Sequence, residues 1–213
     1  MGLPVDTAYE FIKEKIMDGS YYPSQNLIEN ELANTLGISR STIKKALLRL
    51  ERENLVTLET NKGAKVKAFS LEEIINYLEI REVLEGAILR RTASTISDED
   101  LKKLSELIDK MKNFARKNQL DDYSVCNKQF HEIIYTASTN QEAVALVKQI
   151  KTQLQRLHLK TNLIPGRFEQ SLQEHQNIFT ALKNRDGKAA QLAVTQHVEH
   201  LRDTIMTHYQ RLV

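Results

Sequence analysis

The pattern of residues between positions 28 and 53 constrains the fold of this chain more than any other feature. Apolar residues recur at helical spacing as far as Leu36, Gly37 permits a sharp turn, and a second amphipathic stretch begins after Ser39. Ser39 is a favourable N-cap for that second helix. The inward faces hold Ile28, Leu32, Ala33 and Leu36 in the first helix, and Ile43, Ala46, Leu47 and Leu50 in the second. This spacing predicts a helix-turn-helix.

The outward face of the second helix is polar where the helix begins. Its first outward positions are Arg40, Ser41, Thr42 and Lys44. In a helix-turn-helix, the N-terminal residues of the second helix meet base edges and phosphates in the major groove. Two strand-like runs follow, 55–59 and 64–68, and the Asn and Gly between them suit a tight hairpin. Residues 1–69 are therefore predicted to form a winged helix-turn-helix domain that binds double-stranded DNA.

Charge is distributed unevenly along this predicted domain. The whole chain has a net charge of only +2. Residues 40–67, however, hold eight basic and three acidic residues, whereas residues 1–39 hold two basic and six acidic residues. The basic residues include Arg49 on the second helix and Lys62 between the strands, and we predict that both contact DNA. The alternative is a charged helix face that meets only solvent.

The remainder of the chain is predicted to be all-helical, so the protein is mainly α with one small β-wing. Apolar stripes at helical spacing indicate six helices: 71–94, 98–118, 121–138, 141–161, 167–184 and 186–212. None of these helices can bury its stripe alone, which predicts an antiparallel six-helix bundle over 70–213. We expect no membrane span and no signal peptide, and the single Cys126 suits a reducing cytoplasm.

Three histidines lie on the apolar stripes of three different predicted helices. His131, His175 and His197 are each placed to point inward, and Asn127 lies one helical turn before His131. Imidazoles that converge from facing helices can bind a divalent metal such as Zn²⁺ or Ni²⁺, with an amide oxygen as a weaker ligand. Taken singly, each histidine is better explained as a hydrogen-bonded core residue. Spacing alone does not show that the three helices meet.

These motifs together resemble a known family. The stretch from Leu32 to Leu50, with Leu-Gly-Ile-Ser-Arg-Ser-Thr at 36–42, resembles the winged-helix domain of GntR-family bacterial transcription regulators. The helical remainder resembles the FadR-type effector domain called FCD. With six predicted helices in that domain, and not seven, the chain most resembles the VanR-like subgroup. The resemblance covers nearly the whole chain.

The resemblance implies roles for particular residues. DNA contacts would come from the recognition helix and from the wing tip: Arg40, Ser41, Thr42 and Lys44, with Asn61 and Lys62. The metal ligands would be Asn127, His131, His175 and His197. Asn127 stands where the family usually has an aspartate. The ligand set thereby loses one negative charge, which lowers the expected metal affinity.

The resemblance also implies an effector and a partner. Arg81 corresponds to a common arginine of the family and would anchor a small carboxylate effector, although a salt bridge to Glu85 explains it equally well. The protein would be a homodimeric repressor that reads a palindromic operator. One alternative is a constitutive dimeric DNA-binding protein whose histidines only pack. Another is a metalloenzyme, but no inward carboxylate is spaced to act as a general base, so we expect no enzyme.

Overall fold

The structure, a computed structural model, describes residues 3–59, 63–161 and 163–212. The chain divides into two compact units, Met1–Ser70 and Leu71–Val213. Each unit has its own apolar core. Among the described residues, no helix combines the length and the apolar character needed to cross a bilayer.

The first unit consists of three helices and a small antiparallel sheet. The helices are α1 (Pro4–Met17), α2 (Glu29–Leu36) and α3 (Arg40–Arg52). The strands are β1 (Asn26–Leu27), β2 (Val56–Glu59) and β3 (Gly63–Val66), in the sheet order β1-β3-β2. Val56 lies opposite Val66, and Leu27 lies opposite Ala64. The sequence predicted the two hairpin strands but not β1.

The turn between α2 and α3 follows from two residues. Gly37 has a φ of 65°, a left-handed conformation that glycine adopts without steric penalty. The Ser39 hydroxyl accepts a hydrogen bond from the Thr42 amide at 3.2 Å, so Ser39 is the N-cap of α3. The apolar face of α3 is completely buried: Ile43, Ala46, Leu47 and Leu50. Packing against α1 and α2 therefore leaves the opposite face of α3 to solvent.

One residue of the predicted inward face was assigned wrongly. Ile28 is 44% exposed. It occupies the N-cap position of α2, with an extended backbone at φ −85° and ψ 121°. Because helical periodicity applies only inside the helix, it does not fix the direction of this side chain.

The second unit is a helical bundle. Its described helices are α4 (Leu71–Thr95), α5 (Asp98–Arg116), α6 (Leu120–Ala137), α7 (Gln141–Gln153), α8 (Gln155–Thr161), α9 (Arg167–Lys183) and α10 (Gly187–Leu212). Helix α10 packs along α4 and α9, while α5 packs on α6 and α9. Side chains from six of these helices fill one core, among them Leu89, Leu104, Phe130, Val147, Ile178 and Val194. This core brings α6, α9 and α10 together around one interior point.

The predicted single helix over 141–161 is wrong at Leu154. There the chain has a ψ of 4°, far from the helical value of about −42°, and α7 ends. Helix α8 begins at the next residue. The described part of the bundle therefore holds seven helices where the sequence predicted six. No glycine or proline lies between Gln141 and Thr161, so the usual sequence signal for a break is missing.

Candidate functional site

The exposed N-terminal turn of α3 carries the residues predicted to read DNA. Arg40, Ser41 and Lys44 are exposed, and Thr42 is half-buried. The Thr42 hydroxyl lies 2.7 Å from the capping hydroxyl of Ser39, which fixes its position at the start of the helix. A polar first turn on a helix whose other face is buried can enter the major groove without disturbing the core.

Arg40 is held by a carboxylate that the sequence analysis did not single out. Its Nε donates a hydrogen bond to Glu29 Oε2 at 2.6 Å. The Arg40 side chain is 63% exposed, whereas that of Glu29 is 13% exposed. Because Nε is the nitrogen that bonds to Glu29, the two terminal nitrogens of the guanidinium remain available as donors. Paired N–H donors of this kind match the two acceptors of a guanine edge.

Arg49 has a different environment from Arg40. Its Nη1 donates a hydrogen bond to Asp6 at 2.6 Å, and its guanidinium lies 4.1 Å from the centre of the Tyr9 ring. Arg49 lies nine positions after Arg40, a distance of roughly 13 Å along the helix axis. The structure therefore does not bring Arg49 together with Arg40. Asn61 and Lys62, predicted at the wing tip, lie outside the described residues.

Three imidazoles from different helices meet in the interior of the bundle. His131 comes from α6, His175 from α9 and His197 from α10, and all three are buried. One ring nitrogen from each lies within 4.8 Å of the other two. The Nε2 atoms of His131 and His175 are 3.1 Å apart. The convergence that spacing alone did not establish is therefore present.

The neighbours of two of these rings decide which nitrogen carries the proton. His175 Nδ1 lies 2.6 Å from the carbonyl oxygen of Ser171, and His197 Nδ1 lies 2.7 Å from Glu174 Oε2. Because both neighbours only accept hydrogen bonds, we assign the proton to Nδ1 in each ring. The Nε2 lone pairs are then directed into the cluster. Histidines that bind metals have their second nitrogen anchored in this way.

Glu174 connects this cluster to two further groups. Arg167 donates two hydrogen bonds to its oxygens, at 3.2 Å and 3.0 Å. His200 Nδ1 lies 2.8 Å from Glu174 Oε1. With His197, the carboxylate therefore has three partners, which compensate for its burial. Sequence reasoning missed Glu174 as a partner of His197 because the two residues lie on different helices.

Several polar atoms of the three histidines and of Asn127 have no partner among the described residues. Asn127 Oδ1, His131 Nδ1 and His197 Nε2 are buried without a hydrogen bond. An unsatisfied buried polar group costs about 1–3 kcal/mol, so such atoms usually mark a bound ion, ligand or water. Three neutral imidazoles and one amide oxygen fit a divalent cation that accepts nitrogen and oxygen ligands.

The predicted alternative for Arg81 is present in the structure. Arg81 forms a salt bridge with Glu85, and both side chains are buried. Burial, the largest single effect, raises the pKa of Glu85, but the charge of Arg81, the charge of Lys151 and the hydrogen bond from Arg81 together outweigh it, so the pKa is lowered. The hydrogen bonding of this pair is incomplete, because Arg81 Nη2 and Glu85 Oε2 are buried with no hydrogen-bond partner in the described part of the chain.

A cavity of about 320 Å³ adjoins the cluster on the side of α6 and α7. Asn127 and His131 line it, whereas Arg81 is not among the lining residues. Its cationic wall includes Lys151, whose Nζ donates to the Tyr135 hydroxyl at 3.2 Å. Burial lowers the pKa of Lys151 to about 7, and the charge of Arg81 acts in the same direction.

The buried imidazoles are expected to make the metal-free protein sensitive to acid. Burial, the largest effect, lowers the pKa of His131 and His197 well below 6.5 and that of His175 to about 3. Below pH 6.5 the unfolded chain takes up protons that the folded chain does not. The free energy of unfolding should therefore decrease as the pH is lowered below 6.5, by up to about 1.4 kcal/mol per pH unit for each histidine. The check is the Tm of chelator-treated protein between pH 7 and pH 5.

The variant His175→Gln provides the control for this pH dependence. It removes one titrating group and should make the decline of Tm with acidity less steep. If the Tm of the wild-type protein does not change over that range, the three rings are not buried in the neutral form.

Two family models match this chain. Residues 4–66 match the model described as "Bacterial regulatory proteins, gntR family", and residues 76–200 match the model of the FCD domain. The second match covers more than half of the chain. Each match lies within one of the two compact units.

Curated relatives with similar sequences are transcription regulators and not enzymes. The HTH-type transcriptional repressor RspR of Escherichia coli (strain K12) is 25% identical over 197 residues, covering 92% of this chain and 86% of that protein. The Uxu operon regulator of Haemophilus influenzae is 26% identical over 214 residues, covering 91% of this chain and 78% of that protein.

Solved structures share the fold over nearly the full length. McbR/YncC of E. coli has a TM-score of 0.79 at 21% identity, with coverage of 98% of this chain and 100% of the other. A GntR transcriptional regulator from Rhodococcus sp. RHA1 has a TM-score of 0.75 at 19% identity, with coverage of 95% and 97%. At this level of identity, the likeness concerns the fold alone.

Proposed function

The chain belongs to the GntR family of bacterial transcription regulators with an FCD domain, and we propose that it is a homodimeric, cytoplasmic repressor controlled by a small carboxylate bound beside a metal ion. The binding of DNA follows from the family. The proposed metal and effector rest on one observation: three buried imidazoles converge, with one ring nitrogen of each within 4.8 Å of the other two, next to a cavity.

The proposed operator contact is the first turn of α3. Arg40 would read a guanine with the terminal nitrogens that Glu29 leaves available, and Ser41 and Lys44 would contact neighbouring bases or phosphates. Two copies related by a two-fold axis require a palindromic site, with half-sites about one helical turn of DNA apart. Asn61 and Lys62 would add phosphate contacts from the wing, as the family resemblance implies.

The proposed metal ligands are Nε2 of His131, His175 and His197, with Asn127 Oδ1 as a weaker fourth ligand. A fifth group, Glu174, would orient His197 through its hydrogen bond to Nδ1. Because all four ligands are neutral, a bound Zn²⁺ or Ni²⁺ would keep its full positive charge and attract an anion. An aspartate at position 127 would cancel part of that charge, so the asparagine weakens metal binding but favours an anionic effector.

Lys151 is the proposed second contact of the effector. It lines the cavity together with two of the proposed ligands, whereas Arg81 is covered and paired with Glu85. A carboxylate placed between the metal and Lys151 would stabilise the protonated ammonium, whose pKa burial has lowered to about 7. Arg81 would then influence Lys151 through its charge, without contacting the effector.

Thermal shift measurements with a panel of small carboxylates, with and without Zn²⁺ or Ni²⁺, test this proposal. A carboxylate at 100 times its Kd should stabilise the wild-type protein by about 2.7 kcal/mol, or roughly 5–10 °C, and only when metal is present. Operator affinity should fall under the same conditions. Metal analysis that finds no bound ion, together with no carboxylate response, would rule out the effector site.

Lys151→Met tests the second contact. This variant should take up metal but lose most of the carboxylate-dependent shift. Lys148→Met is the matched control, because Lys148 lines the same cavity but is paired with Glu132 on the surface. Equal responses in the two variants would show that Lys151 does not contact the effector.

A second candidate function has some support. In a constitutive dimeric DNA-binding protein the histidines would serve only in packing. The buried salt bridge between Arg81 and Glu85 is what such a protein would need, since it balances the charge of the arginine without an effector. The unpartnered Oδ1 of Asn127 and Nε2 of His197, both proposed ligand atoms, favour the metal site instead.

A further inference from the structure

Three lysines line the cavity beside the histidine cluster, and one of them has unusual surroundings. Lys128 and Lys148 are exposed, whereas Lys151 is half-buried. Lys148 is paired with Glu132. Lys151 Nζ donates to the Tyr135 hydroxyl at 3.2 Å, and in the described part of the chain it forms no salt bridge. Lys151 is therefore an amine at the wall of a ligand-sized cavity without a carboxylate bonded to it.

The charges around Lys151 favour its neutral form. Burial, the largest effect, and the charge of Arg81 lower its pKa to about 7 against the opposing charges of Glu85 and Glu132. At pH 7 about half of this side chain is neutral, compared with roughly one in 2,500 for a lysine with the ordinary pKa of about 10.4. Desolvation next to another cation is a known way to make a lysine nucleophilic. The protonated form can pair with a carboxylate, and the neutral form can bond to an electrophilic carbon.

Tyr135 places a hydroxyl group directly beside this nitrogen. Burial, followed by the charge of Glu85, raises the pKa of Tyr135 well above 10, so the hydroxyl stays protonated. Tyr135 also lines the cavity. Its hydroxyl can therefore give a proton to an oxygen bound next to Lys151 Nζ and accept one from the nitrogen.

We infer that Lys151 holds the effector covalently, as an imine, and that the effector is a small oxo acid, a carboxylate that also carries an aldehyde or a ketone. The inference rests on the proposed function for the carboxylate, and it adds the carbonyl group and the covalent bond. The cavity volume of about 320 Å³ is at the lower end of the range for ligand sites, so the molecule is small.

The bond forms by condensation, without any oxidant or reductant. The lone pair of neutral Nζ forms a bond to the carbonyl carbon, and the former carbonyl oxygen becomes a hydroxyl group as one proton passes to it from the nitrogen. The carbon–oxygen bond then breaks, and the oxygen leaves as water with both hydrogens of the amine. Tyr135 would carry these protons between nitrogen and oxygen, and it ends each transfer in its original form.

Reductive trapping tests the covalent bond. Protein is incubated at pH 7 with Zn²⁺, cyanoborohydride and one of three probes: pyruvate, 4-oxopentanoate or propanal. Reduction converts an imine into a stable amine, which peptide mass spectrometry locates. The oxo acids should label Lys151 at least roughly 100-fold faster than Lys148 or Lys128. Lactate and pentanoate lack the carbonyl and should leave no adduct.

Three variants make the trapping specific. Lys151→Arg keeps the positive charge but forms no imine, so it should lose the adduct and still be stabilised by pentanoate. Lys148→Arg is the matched control and should be labelled at Lys151 like the wild type. Tyr135→Phe keeps the ring but lacks the hydroxyl, and it should slow labelling by roughly 10-fold or more. Circular dichroism of each variant should match the wild type.

The outcomes separate this inference from the proposed function. If pentanoate and 4-oxopentanoate stabilise the protein equally and neither oxo acid labels Lys151, the carboxylate site stands and the covalent bond is refuted. An adduct with propanal but with neither oxo acid would refute the oxo acid as the ligand class. Oxo acid labelling of Lys151 without any stabilisation by pentanoate would support the reactive amine but contradict the proposed carboxylate site. Equal labelling of all three lysines would contradict a special role for Lys151, and unchanged labelling in Tyr135→Phe would contradict the role of the hydroxyl.

Discussion

Replacing His197 with alanine is expected to abolish metal uptake by the second unit. His197 supplies one of three imidazoles, and its Nε2 is a buried nitrogen without a partner in the described residues. Without this imidazole, only a neutral amide oxygen is left to compensate. The variant should bind Zn²⁺ or Ni²⁺ at least about 100-fold more weakly, because metal affinity drops even when a residue that only hydrogen-bonds to a ligand is replaced. Isothermal titration of the chelator-treated protein measures this directly.

Two further variants make this result specific. His197→Gln retains a donor for Glu174 and much of the volume, so it separates loss of the ligand from loss of packing. His200→Ala removes a histidine from the same helix that bonds to the same carboxylate but lies outside the cluster. His200→Ala should still bind about one metal ion per chain. If His197→Ala binds metal as tightly as the wild type, His197 is not a ligand.

Arg40→Ala is expected to cut operator affinity by about 1–3 kcal/mol, a factor of roughly 5 to 150, and to relax the base preference at one position of each half-site. Affinity for unrelated DNA should fall much less, because phosphate contacts by other basic residues remain. Fluorescence anisotropy with an operator, with single-base variants and with unrelated duplexes at one salt concentration measures both effects.

Arg52→Ala is the matched control for Arg40→Ala. Arg52 is exposed near the other end of α3, so its loss removes the same charge without touching the first turn. Glu29→Gln should show an intermediate effect, because the amide still accepts a hydrogen bond but no longer carries a charge. Arg40→Ala and Arg52→Ala with the same loss of affinity and unchanged base preference would mean that Arg40 does not read a base.

Local signals made the first unit largely predictable from the sequence. The predicted end of the first helix at Leu36 agrees with the structure, and Ser39 caps α3 as predicted, because glycine and an N-capping serine act on their immediate neighbours. Strand β1 was not predicted, since two residues carry no periodicity and its pairing with β3 is long-range. Leu154 ends α7 without a glycine or proline, so the local sequence gave no signal there.

The candidate site was predictable only in part, for a related reason. Helical phase shows that His131, His175 and His197 point inward, but only tertiary packing brings the three rings together. The partners that orient the rings and line the cavity, such as Glu174 and Lys151, lie on other helices. Ile150 lies on the apolar stripe of α7, and Lys151 is the next residue in the chain. A lysine so close to a buried stripe is the sequence signal that could have indicated a cationic group at the site.

The hydrogen bond between Glu29 and Arg40 has a consequence for the thermodynamics of DNA recognition. A free arginine loses up to about 2 kcal/mol of rotamer entropy when its side chain becomes fixed. Glu29 already limits the rotamers of Arg40 in the unbound protein. The side chain therefore loses less disorder when it meets the duplex, and more of the enthalpy of its hydrogen bonds remains for distinguishing one base pair from another.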